Sequence, residues 1–473
     1  MISFRRERVL CLGVLVIIAS VLGTYKIGAL NGDIMMNLPP SFKFKTEVLP
    51  TQPQPPSEPQ PPSEQPQQVN DESASIGPFT TIPEGTHVPG FTILNHLYLK
   101  DGIFYVLTLN ASSFPPRRDI LSRPLNLEVQ NLDPTDQELQ FLQPEESQRV
   151  LGDYAMKIGD LSVIIYDPTQ FMSHFYHWWG EIILGLWRVL STLPPPVHTP
   201  ARFLMPFSDK GAWRDPAGVD GPLMRAAFPH AAIETADFWQ DLVELNTTVV
   251  FERVMLVNRR AAHLHPYDSR WYKMIAGTMS VTPPLDFWAP IRQSLVQNLL
   301  GYVPDVEGST EEEEMMRPKP KKPVLTYISR QGGRGRKLIE EDHEGLVQAL
   351  QELEADGVCE FRMPRMEELG LKEQIELAAR STIILGVHGN GLTHQLWMPR
   401  SRRSTVIEIF YPEGYIFDYE MLARNMGHRH YGVWNHTFVT YPEGSYHDGV
   451  QIKEGFHGTS IPIGLKTDHI LFI

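Results

Sequence analysis

Hydrophobic and polar positions follow a regular alternation in the last third of the chain. Short apolar runs predict β-strands there, and the longer amphipathic stretches between them predict helices. The predicted strands are 324–329, 358–362, 382–387, 405–410 and 430–434, and the predicted helices are 340–355, 366–380 and 417–426. Strands that alternate with helices predict a parallel, Rossmann-like sheet, which binds its ligands at the carboxyl ends of the strands.

The same patterns occur earlier in the chain. Residues 161–166, 201–207 and 249–257 predict strands, and residues 171–193 predict a helix that ends before Pro194. These elements indicate a first α/β region that precedes the regular one. Both regions together predict an α/β fold.

A change in composition separates the two regions. Residues 304–323 contain a run of four glutamates followed by prolines and lysines, which is typical of a solvated linker. We therefore expect two α/β domains, over 79–303 and 324–473, that face each other across this linker.

The beginning of the chain carries a membrane-targeting pattern. Residues 9–25 are almost wholly apolar, and three arginines stand before them in residues 1–8. The run lies at the short end of the roughly 17–25 residues that span a bilayer, and basic residues favour the cytosolic side. A cleaved signal peptide is the alternative interpretation. Residues 26–78 are rich in Pro and Gln and predict an extended stem, so we expect a single-pass type II protein of the Golgi or ER membrane with a lumenal body.

Charge and cysteine content narrow the possible functions. The formal net charge of −14 on 473 residues gives no support for a nucleic-acid partner. Only two cysteines occur, and Cys11 lies in the apolar run, which leaves Cys359 without an intrachain partner for a lumenal disulfide and excludes a cysteine-based zinc site. N-glycosylation sequons at Asn110, Asn246 and Asn435 agree with a lumenal body.

A glycine-rich loop follows the predicted strand 382–387. Small residues let the backbone approach a ligand closely, and the helix that follows offers free N–H groups to an anion. The loop residues are His388, Gly389, Asn390, Gly391, Leu392, Thr393 and His394. The loop has neither G-x-G-x-x-G spacing nor a Walker lysine, which argues against a dinucleotide site and a nucleotide triphosphatase. A plain strand-to-helix turn is the alternative.

A second loop, at the end of the predicted strand 324–329, concentrates positive charge. It contains Arg330, Arg334 and Arg336 among glycines. The planar guanidinium fork suits paired phosphate oxygens, although an exposed basic loop is the alternative. Because both loops follow strands of one parallel sheet, we expect them to open on the same edge and to bind a diphosphate together.

A polar stripe interrupts the aromatic first half of the predicted helix 171–193. His174, His177 and Glu181 fall on one face at helical spacing. A carboxylate or an imidazole on an apolar face is a candidate general base. A His/His/Glu metal site and a hydrogen-bonded packing stripe are the alternatives, and the spacing differs from the H-E-x-x-H pattern of zinc proteases.

Glu408 places a charge inside the apolar strand 405–410. A carboxylate near the end of such a strand can accept hydrogen bonds from ribose hydroxyls, and a charge at the sheet edge is the alternative. We find no D-x-D pattern in the body of the chain, so a metal-bound nucleotide site of that type is not indicated.

These residues together resemble glycosyltransferase family 61, and in particular its fungal branch. The similarity covers roughly residues 150–435 and rests on the His-rich helix, the arginine loop, the Gly386–His394 loop with Met398-Pro399, and the strand around Glu408. One departure is Glu340, which stands where family members often carry asparagine. The spacing leaves open whether Arg334 or Arg336 takes the second phosphate-binding place.

The resemblance implies a GT-B fold, a nucleotide-sugar donor and an inverting mechanism, with xylose, arabinose or N-acetylglucosamine as the sugar. We expect an acceptor-side first domain and a second domain that binds a donor, which we expect to be UDP-linked. The acceptor would be a glycan or glycoprotein. Glu181 is the first candidate base and His177 the second. No cofactor or bound metal is expected to be required, although dependence on a divalent metal stays open.

Two other functions fit the same residues. One is a non-catalytic, membrane-anchored protein that binds a nucleotide-sugar or a glycan on the same fold. The other is a metal hydrolase that uses the stripe of His174, His177 and Glu181.

Overall fold

A computed structural model describes residues 77–194, 199–304, 322–333, 335–435, 437–442 and 449–463. The predicted tail and anchor, nearly all of the stem, most of the linker and Arg334 lie outside the described residues. Within these ranges, no helix combines the length and the apolar character that a membrane span requires.

The first region is built on a mixed eight-stranded sheet. The strand order is β4-β3-β2-β8-β5-β6-β7, with β1 paired to β2. The strands are β1 His87–Val88, β2 Phe91–Lys100, β3 Ile103–Leu107, β4 Leu139–Leu142, β5 Ala155–Ile165, β6 Arg202–Leu204, β7 Ala232–Glu234 and β8 Thr248–Val257. Strand β2 runs antiparallel to β1, β3 and β8, whereas β8, β5, β6 and β7 are parallel neighbours.

This sheet differs from the expected Rossmann-like one at its β2–β3 hairpin. The strands are joined by Asp101 and Gly102, both with positive φ (51° and 78°), so that Lys100 pairs with Ile103. An Asp-Gly pair is the preferred two-residue turn of hairpins, since its twist matches that of the flanking strands. Strand β2 is therefore antiparallel to both of its long neighbours, β3 and β8, whereas β4 is parallel to β3, and the hairpin was not predicted.

Short helices surround this sheet. They are α1 Arg117–Ile120, α2 Pro144–Leu151, α3 Leu184–Leu190, α4 Asp220–Ala227, α5 Ala236–Glu244, α6 Arg259–Ala262, α7 Asp268–Trp271 and α8 Ala289–Leu300. A π-helix, Tyr176–Ile183, runs directly into α3, and 3₁₀-helices cover Ala111–Ser113, Thr169–Phe171 and Met274–Ser280. The predicted helix over 171–193 is confirmed, although its first half is not α-helical.

The second region confirms the predicted parallel sheet. Its strand order is β10-β9-β11-β12-β13-β14. The strands are β9 Val324–Ile328, β10 Glu360–Arg362, β11 Ile383–Val387, β12 Thr405–Ile409, β13 Arg429–Trp434 and β14 Thr437–Tyr441. All neighbours are parallel except β13 and β14. The helices are α9 Glu340–Ala355, α10 Leu371–Arg380 and α11 Asp418–Met426, with 3₁₀-helices at Met366–Glu368 and Asn390–Trp397.

A single hydrophobic core joins the two sheets. It includes Trp179 from the π-helix, Trp397 from the 3₁₀-helix after β11, and Leu422 from α11, all fully buried. The indoles of Trp179 and Trp397 meet edge to face at 5.1 Å. Gly180 lies so close to α11 that an added Cβ would come within 2.9 Å of Leu422 Cδ2. The π-helix is therefore held between the sheets, with its histidines next to the loops of the second region.

Candidate active site

Glycines bring the ends of β9 and β11 together. A Cβ on Gly389 would lie 1.8 Å from Arg330 Nη1, so the guanidinium packs directly on this residue. A Cβ on Gly391 would lie 2.8 Å from Ile328 Cγ2, at the end of β9. The loops that contain Arg330 and Gly389 therefore meet at one sheet edge, as their positions after parallel strands imply.

Arg330 and Arg336 form a pair of cations at this edge. Arg330 Nε donates to the backbone carbonyl of Arg336 at 2.9 Å, and Arg336 Nη1 lies 3.1 Å from His457 Nδ1. Among the described residues, no carboxylate forms an ion pair with either arginine. Burial, and then the charge of Arg336, lower the pKa of Arg330. Two half-buried guanidinium groups that repel each other are stabilised by an anion placed between them. Arg334 lies outside the described residues.

Asn390 connects the glycine loop to the π-helix. Its Oδ1 accepts the backbone N–H of Tyr176 at 3.2 Å and the Thr393 hydroxyl at 3.4 Å. The backbone N–H of Leu392 donates to the carbonyl of Gly389 at 2.9 Å and closes the turn. The sequence predicts Asn390 as part of the loop that binds the nucleotide-sugar, and in the fold its side chain also joins this loop to the π-helix of the first region.

His394 stabilises the loop from behind. Its Nδ1 lies 3.0 Å from the Gly391 carbonyl and its Nε2 lies 3.2 Å from Gln374 Oε1 in α10. Burial lowers its pKa to about 4, so the ring is neutral at physiological pH. His394 therefore holds the backbone of Gly391 in place, and the structure shows it facing α10.

Glu408 lies between two histidines and has no exposed surface. Its Oε1 contacts His388 Nδ1, and its Oε2 lies 2.8 Å from His430 Nε2. Burial, reinforced by Asp418 and Glu420, raises the pKa of Glu408 well above its usual range.

Burial also keeps both histidines neutral: it lowers the pKa of His388 far below its usual range and that of His430 to about 4. A neutral Glu408 carboxyl can then donate to His388 Nδ1 and accept from His430. A ribose hydroxyl would reach Glu408 only by displacing one of these rings, so the predicted ribose contact stays a prediction.

The chain of contacts continues into the first region. His388 Nε2 lies 3.5 Å from Asp418 Oδ2, and Lys273 Nζ forms an ion pair with the other carboxylate oxygen. Burial alone would lower the pKa of Lys273, but Asp418 and Glu181 raise it overall, so the ammonium is charged. Lys273 and Asp418 were missed in the sequence, where nothing shows that they meet.

His177 and Glu181 form a second pair on the π-helix. His177 Nδ1 lies 2.6 Å from Glu181 Oε2, and Arg259 Nη1 lies 2.6 Å from the same oxygen. Burial would raise the pKa of Glu181, but Arg259, His177 and Lys273 together hold it well below its usual range. The Glu181 side chain is 2% exposed and that of His177 is 26% exposed. Glu181 is therefore an ionised, enclosed carboxylate, whereas His177 reaches solvent.

Both residues of this pair belong to the π-helix Tyr176–Ile183. Segments of π-helix are rare in proteins, and those that occur are often found at functional sites. His174 precedes the π-helix, and its ring lies 4.9 Å from that of His177. Burial, then the neighbouring His177, lower the pKa of His174. The predicted stripe is thus one cluster in space.

Arg259 is a site residue that the sequence pattern did not reveal. It follows β8 directly, and its backbone N–H donates to Asp167 Oδ1 and Oδ2 at 3.0 and 2.9 Å. Its guanidinium lies 4.6 Å above the Phe171 ring. The sequence could have indicated Arg259 by its position just after the predicted strand 249–257. Because β5 and β8 are parallel, this position lies at the same sheet edge as Asp167, which follows β5.

The Arg259 guanidinium at Glu181 also disfavours a metal cation there, which weakens the metal-hydrolase alternative.

No group of three or more His, Cys, Asp or Glu side chains is arranged to hold a metal ion in the part of the chain that the structure describes.

A cavity of about 720 Å³ lies elsewhere in the first region, between the middles of β2, β8 and β5. Its lining residue Glu252 is bound to Lys157 at 2.9 Å. We assign the active site to the arginine pair Arg330 and Arg336 and to the cluster around His177 instead of this cavity, because they lie where loops from both regions meet.

The predicted sequons lie at the molecular surface. Asn110 and Asn246 are exposed, and Asn435 is partly exposed. Asn110 Oδ1 also accepts the backbone N–H of Ser112 at 3.1 Å. Their glycosylation stays a prediction.

Comparison with known proteins finds similarity to glycosyltransferases over the part of the chain that contains most of these site residues. Residues 175–407 match the family model Glycosyltransferase 61. One relative, the EGF domain-specific O-linked N-acetylglucosamine transferase of Drosophila melanogaster, is 30% identical over 131 residues, or 28% of this chain and 23% of that relative. The matched range contains His177, Glu181, Arg259 and Arg330. Residues 175–407 of this chain, just under half of its length, therefore match glycosyltransferase family 61.

Proposed function

We propose that the chain transfers a sugar from a nucleotide-sugar, with UDP as the expected nucleotide, to a glycan or glycoprotein acceptor. The observation that carries this proposal is the pair Arg330 and Arg336, for which the described part of the chain supplies no carboxylate ion-pair partner, with Arg330 packed on Gly389. A diphosphate would occupy the space between them, and the same groups would stabilise the charge that develops on the leaving nucleotide. The sugar would be xylose, N-acetylglucosamine or arabinose.

We assign the general base to His177 and an orienting role to Glu181, which reverses the order expected from the sequence. An ionised Glu181 accepts the Nδ1–H of His177, and this tautomer leaves Nε2 free to take the proton of an acceptor hydroxyl. A carboxylate whose pKa is held far below neutrality is itself a weak base. As His177 becomes charged, Glu181 stabilises the imidazolium, and the hydroxyl displaces the nucleotide in one inverting step.

The cellular setting remains part of the proposal. The apolar run at 9–25 and the stem at 26–78 support a type II anchor in the Golgi or ER membrane, with the body in the lumen. The two sheets, with the site between them, support a GT-B arrangement. The reaction needs no additional cofactor in this proposal, and assays with and without a chelator test its dependence on divalent metal.

The experiment is a donor panel on the full chain. UDP-xylose, UDP-N-acetylglucosamine and UDP-arabinose are each incubated with the protein, and UDP release and thermal stabilisation are measured. We expect one donor to raise the melting temperature in a concentration-dependent way and to release UDP. Arg330→Ala should abolish both signals, whereas Arg149→Ala, an exposed arginine paired with Glu146 on α2 of the first region, should leave them unchanged. The absence of both signals for every donor would contradict the proposal.

A further inference from the structure

We propose that residues 259–273 bind the acceptor glycan, with its sugar rings stacking on the side chains of Tyr267 and Tyr272. We call these two rings the tyrosine platform. The inference rests on the proposed function, because it names the acceptor-binding surface of the same site. It rests on where the segment lies, on the exposure of its rings and on the contacts that hold them.

Both ends of the segment are fixed to the site. Arg259 at its start is bound to Glu181, and Lys273 at its end is bound to Asp418, which contacts His388. Lys273 is also close enough to Glu181 to lower the pKa of that carboxyl. Tyr272 directly precedes Lys273, so its backbone is held next to a residue that joins the first region to the donor loop through Asp418.

The rings of Tyr267 and Tyr272 are exposed to solvent and do not contribute to the hydrophobic core. Tyr267 is 42% exposed and Tyr272 is 67% exposed, whereas Trp271 between them is buried. Tyr272 also has a left-handed backbone, with φ of 53°. A bulky residue in this conformation is rare and costs about 1–3 kcal/mol, and such strain clusters at functional sites. The turn directs Lys273 inward and leaves the Tyr272 ring outside.

Two histidines hold the rings in place. His265 lies 4.9 Å from the Tyr267 ring, and its Nδ1 accepts the backbone N–H of Tyr267 at 3.1 Å. His265 in turn fits against Gly277, where a Cβ would come within 2.8 Å of the imidazole. His263 lies 6.0 Å from the Tyr272 ring. Rings that are fixed before binding lose little entropy when a ligand arrives.

The chemistry of the platform favours a sugar over a polypeptide. A sugar ring has an apolar C–H face and a rim of hydroxyls, and tyrosine likewise joins an apolar face to a polar edge. Arg270, which is exposed in the same short helix, can meet the hydroxyls, while the buried Asp268 is bound to His263 at 2.9 Å. A polypeptide is usually held by an apolar groove or an open strand edge, whereas this segment consists of two short helices and turns.

The test is a binding titration of the full chain with xylotetraose, mannotetraose and chitotetraose. We expect at least one of them to bind. Tyr267→Ala and Tyr272→Ala should each weaken this binding by about 3- to 10-fold, the range that one aromatic contact provides. Tyr154→Ala is the matched control, because Tyr154 is 70% exposed and lies before β5, outside the segment 259–273. UDP binding should be unchanged in all three variants.

A second variant separates folding from binding. Tyr272→Gly removes the ring and also relieves the left-handed backbone, so the protein should be at least as stable while oligosaccharide binding falls as in Tyr272→Ala. Unchanged oligosaccharide affinity in these variants overturns the inference. Failure of all three oligosaccharides to bind the wild-type chain also overturns it. Failure of UDP to bind the wild-type chain would instead count against the proposed function, whatever the sugars do.

Discussion

At the scale of single residues, the site is made of charges held in unusual environments. Glu181 and Glu408 are both enclosed, but Glu181 is ionised and Glu408 is neutral. Two side chains of the same kind therefore have opposite protonation states. The difference comes from the neighbours, since Arg259 lies on Glu181 whereas two neutral histidines lie on Glu408. Sequence reasoning found both carboxylates but could not assign their protonation, which depends on contacts between distant segments.

His177→Ala tests the proposed base. The change keeps the ion pair of Glu181 with Arg259, so the protein should fold, and kcat should fall by roughly 10²- to 10⁴-fold because no group takes the acceptor proton. Donor binding, followed as thermal stabilisation by UDP, should stay at the wild-type level. His230→Ala, at an exposed histidine of the first region, serves as the control. Near wild-type turnover in His177→Ala would return the role of base to Glu181.

Glu408→Gln tests the neutral state of that carboxyl. The amide keeps one donor for His388 and one acceptor for His430, so we expect the variant to fold and to bind UDP.

The pH dependence follows from the raised pKa of Glu408 in the folded protein. Between its usual pKa and the raised one, the folded protein holds a proton that the unfolded chain has lost, so this group favours folding less as pH rises through that window. The variant lacks this loss. The melting temperature of the variant relative to wild type should therefore rise from pH 5 to pH 8, and a difference that stays constant over that range would show that the native carboxyl is already ionised.

At the scale of secondary-structure elements, the second sheet was predictable and the first was predictable only in part. Each strand of the second sheet is a short apolar run bounded by a helix or turn. A strand of this kind can be recognised from its own residues, without knowledge of distant contacts. Predicting the β2–β3 hairpin would have required recognising the Asp101-Gly102 pair as a two-residue turn. The π-helix was beyond a sequence pattern, since the spacing of His174, His177 and Glu181 reads equally well as α-helical.

Gly180→Ala tests the packing of the π-helix. An added methyl would meet Leu422 of α11 at 2.9 Å, so we expect a loss of about 1–3 kcal/mol in unfolding free energy from overpacking. Leu422→Ala alone should also destabilise, by about 2–5 kcal/mol, because it opens a cavity. The double variant should be less destabilised than the sum of the two, as measured by chemical denaturation. Strict additivity would show that this helix and α11 do not pack as described.

At the scale of the whole molecule, the two regions meet more closely than a linker between two domains suggests. One apolar core runs from Trp179 to Trp397, and the Trp288 indole N–H and the Arg292 guanidinium donate to the carbonyls of Leu396 and Trp397 at 2.9 and 2.7 Å. The sequence indicates two α/β units because their strand patterns are separate. It does not indicate the shared core, because the contacting residues are more than 100 positions apart in the chain.

The ion pair of Lys273 with Asp418 is the polar counterpart of this core, and it allows the last prediction. Lys273→Met should leave Asp418 as an uncompensated buried charge beside His388, so we expect a loss of about 3–5 kcal/mol in unfolding free energy. Asp418→Asn should cost a similar amount, because it strands the ammonium. The double variant should recover part of the loss, with a coupling of roughly 0.5–3 kcal/mol in a denaturation cycle.

Donor binding carries the functional half of this prediction. Because Asp418 lies against His388 in the glycine loop, both single variants should also weaken the stabilisation by UDP, although neither residue belongs to the arginine pair. Lys157→Met, which breaks the exposed pair with Glu252, is the control and should change stability by less than about 1 kcal/mol. Normal UDP stabilisation in destabilised Lys273 and Asp418 variants would mean that the pair joins the two regions without setting the geometry of the donor loop.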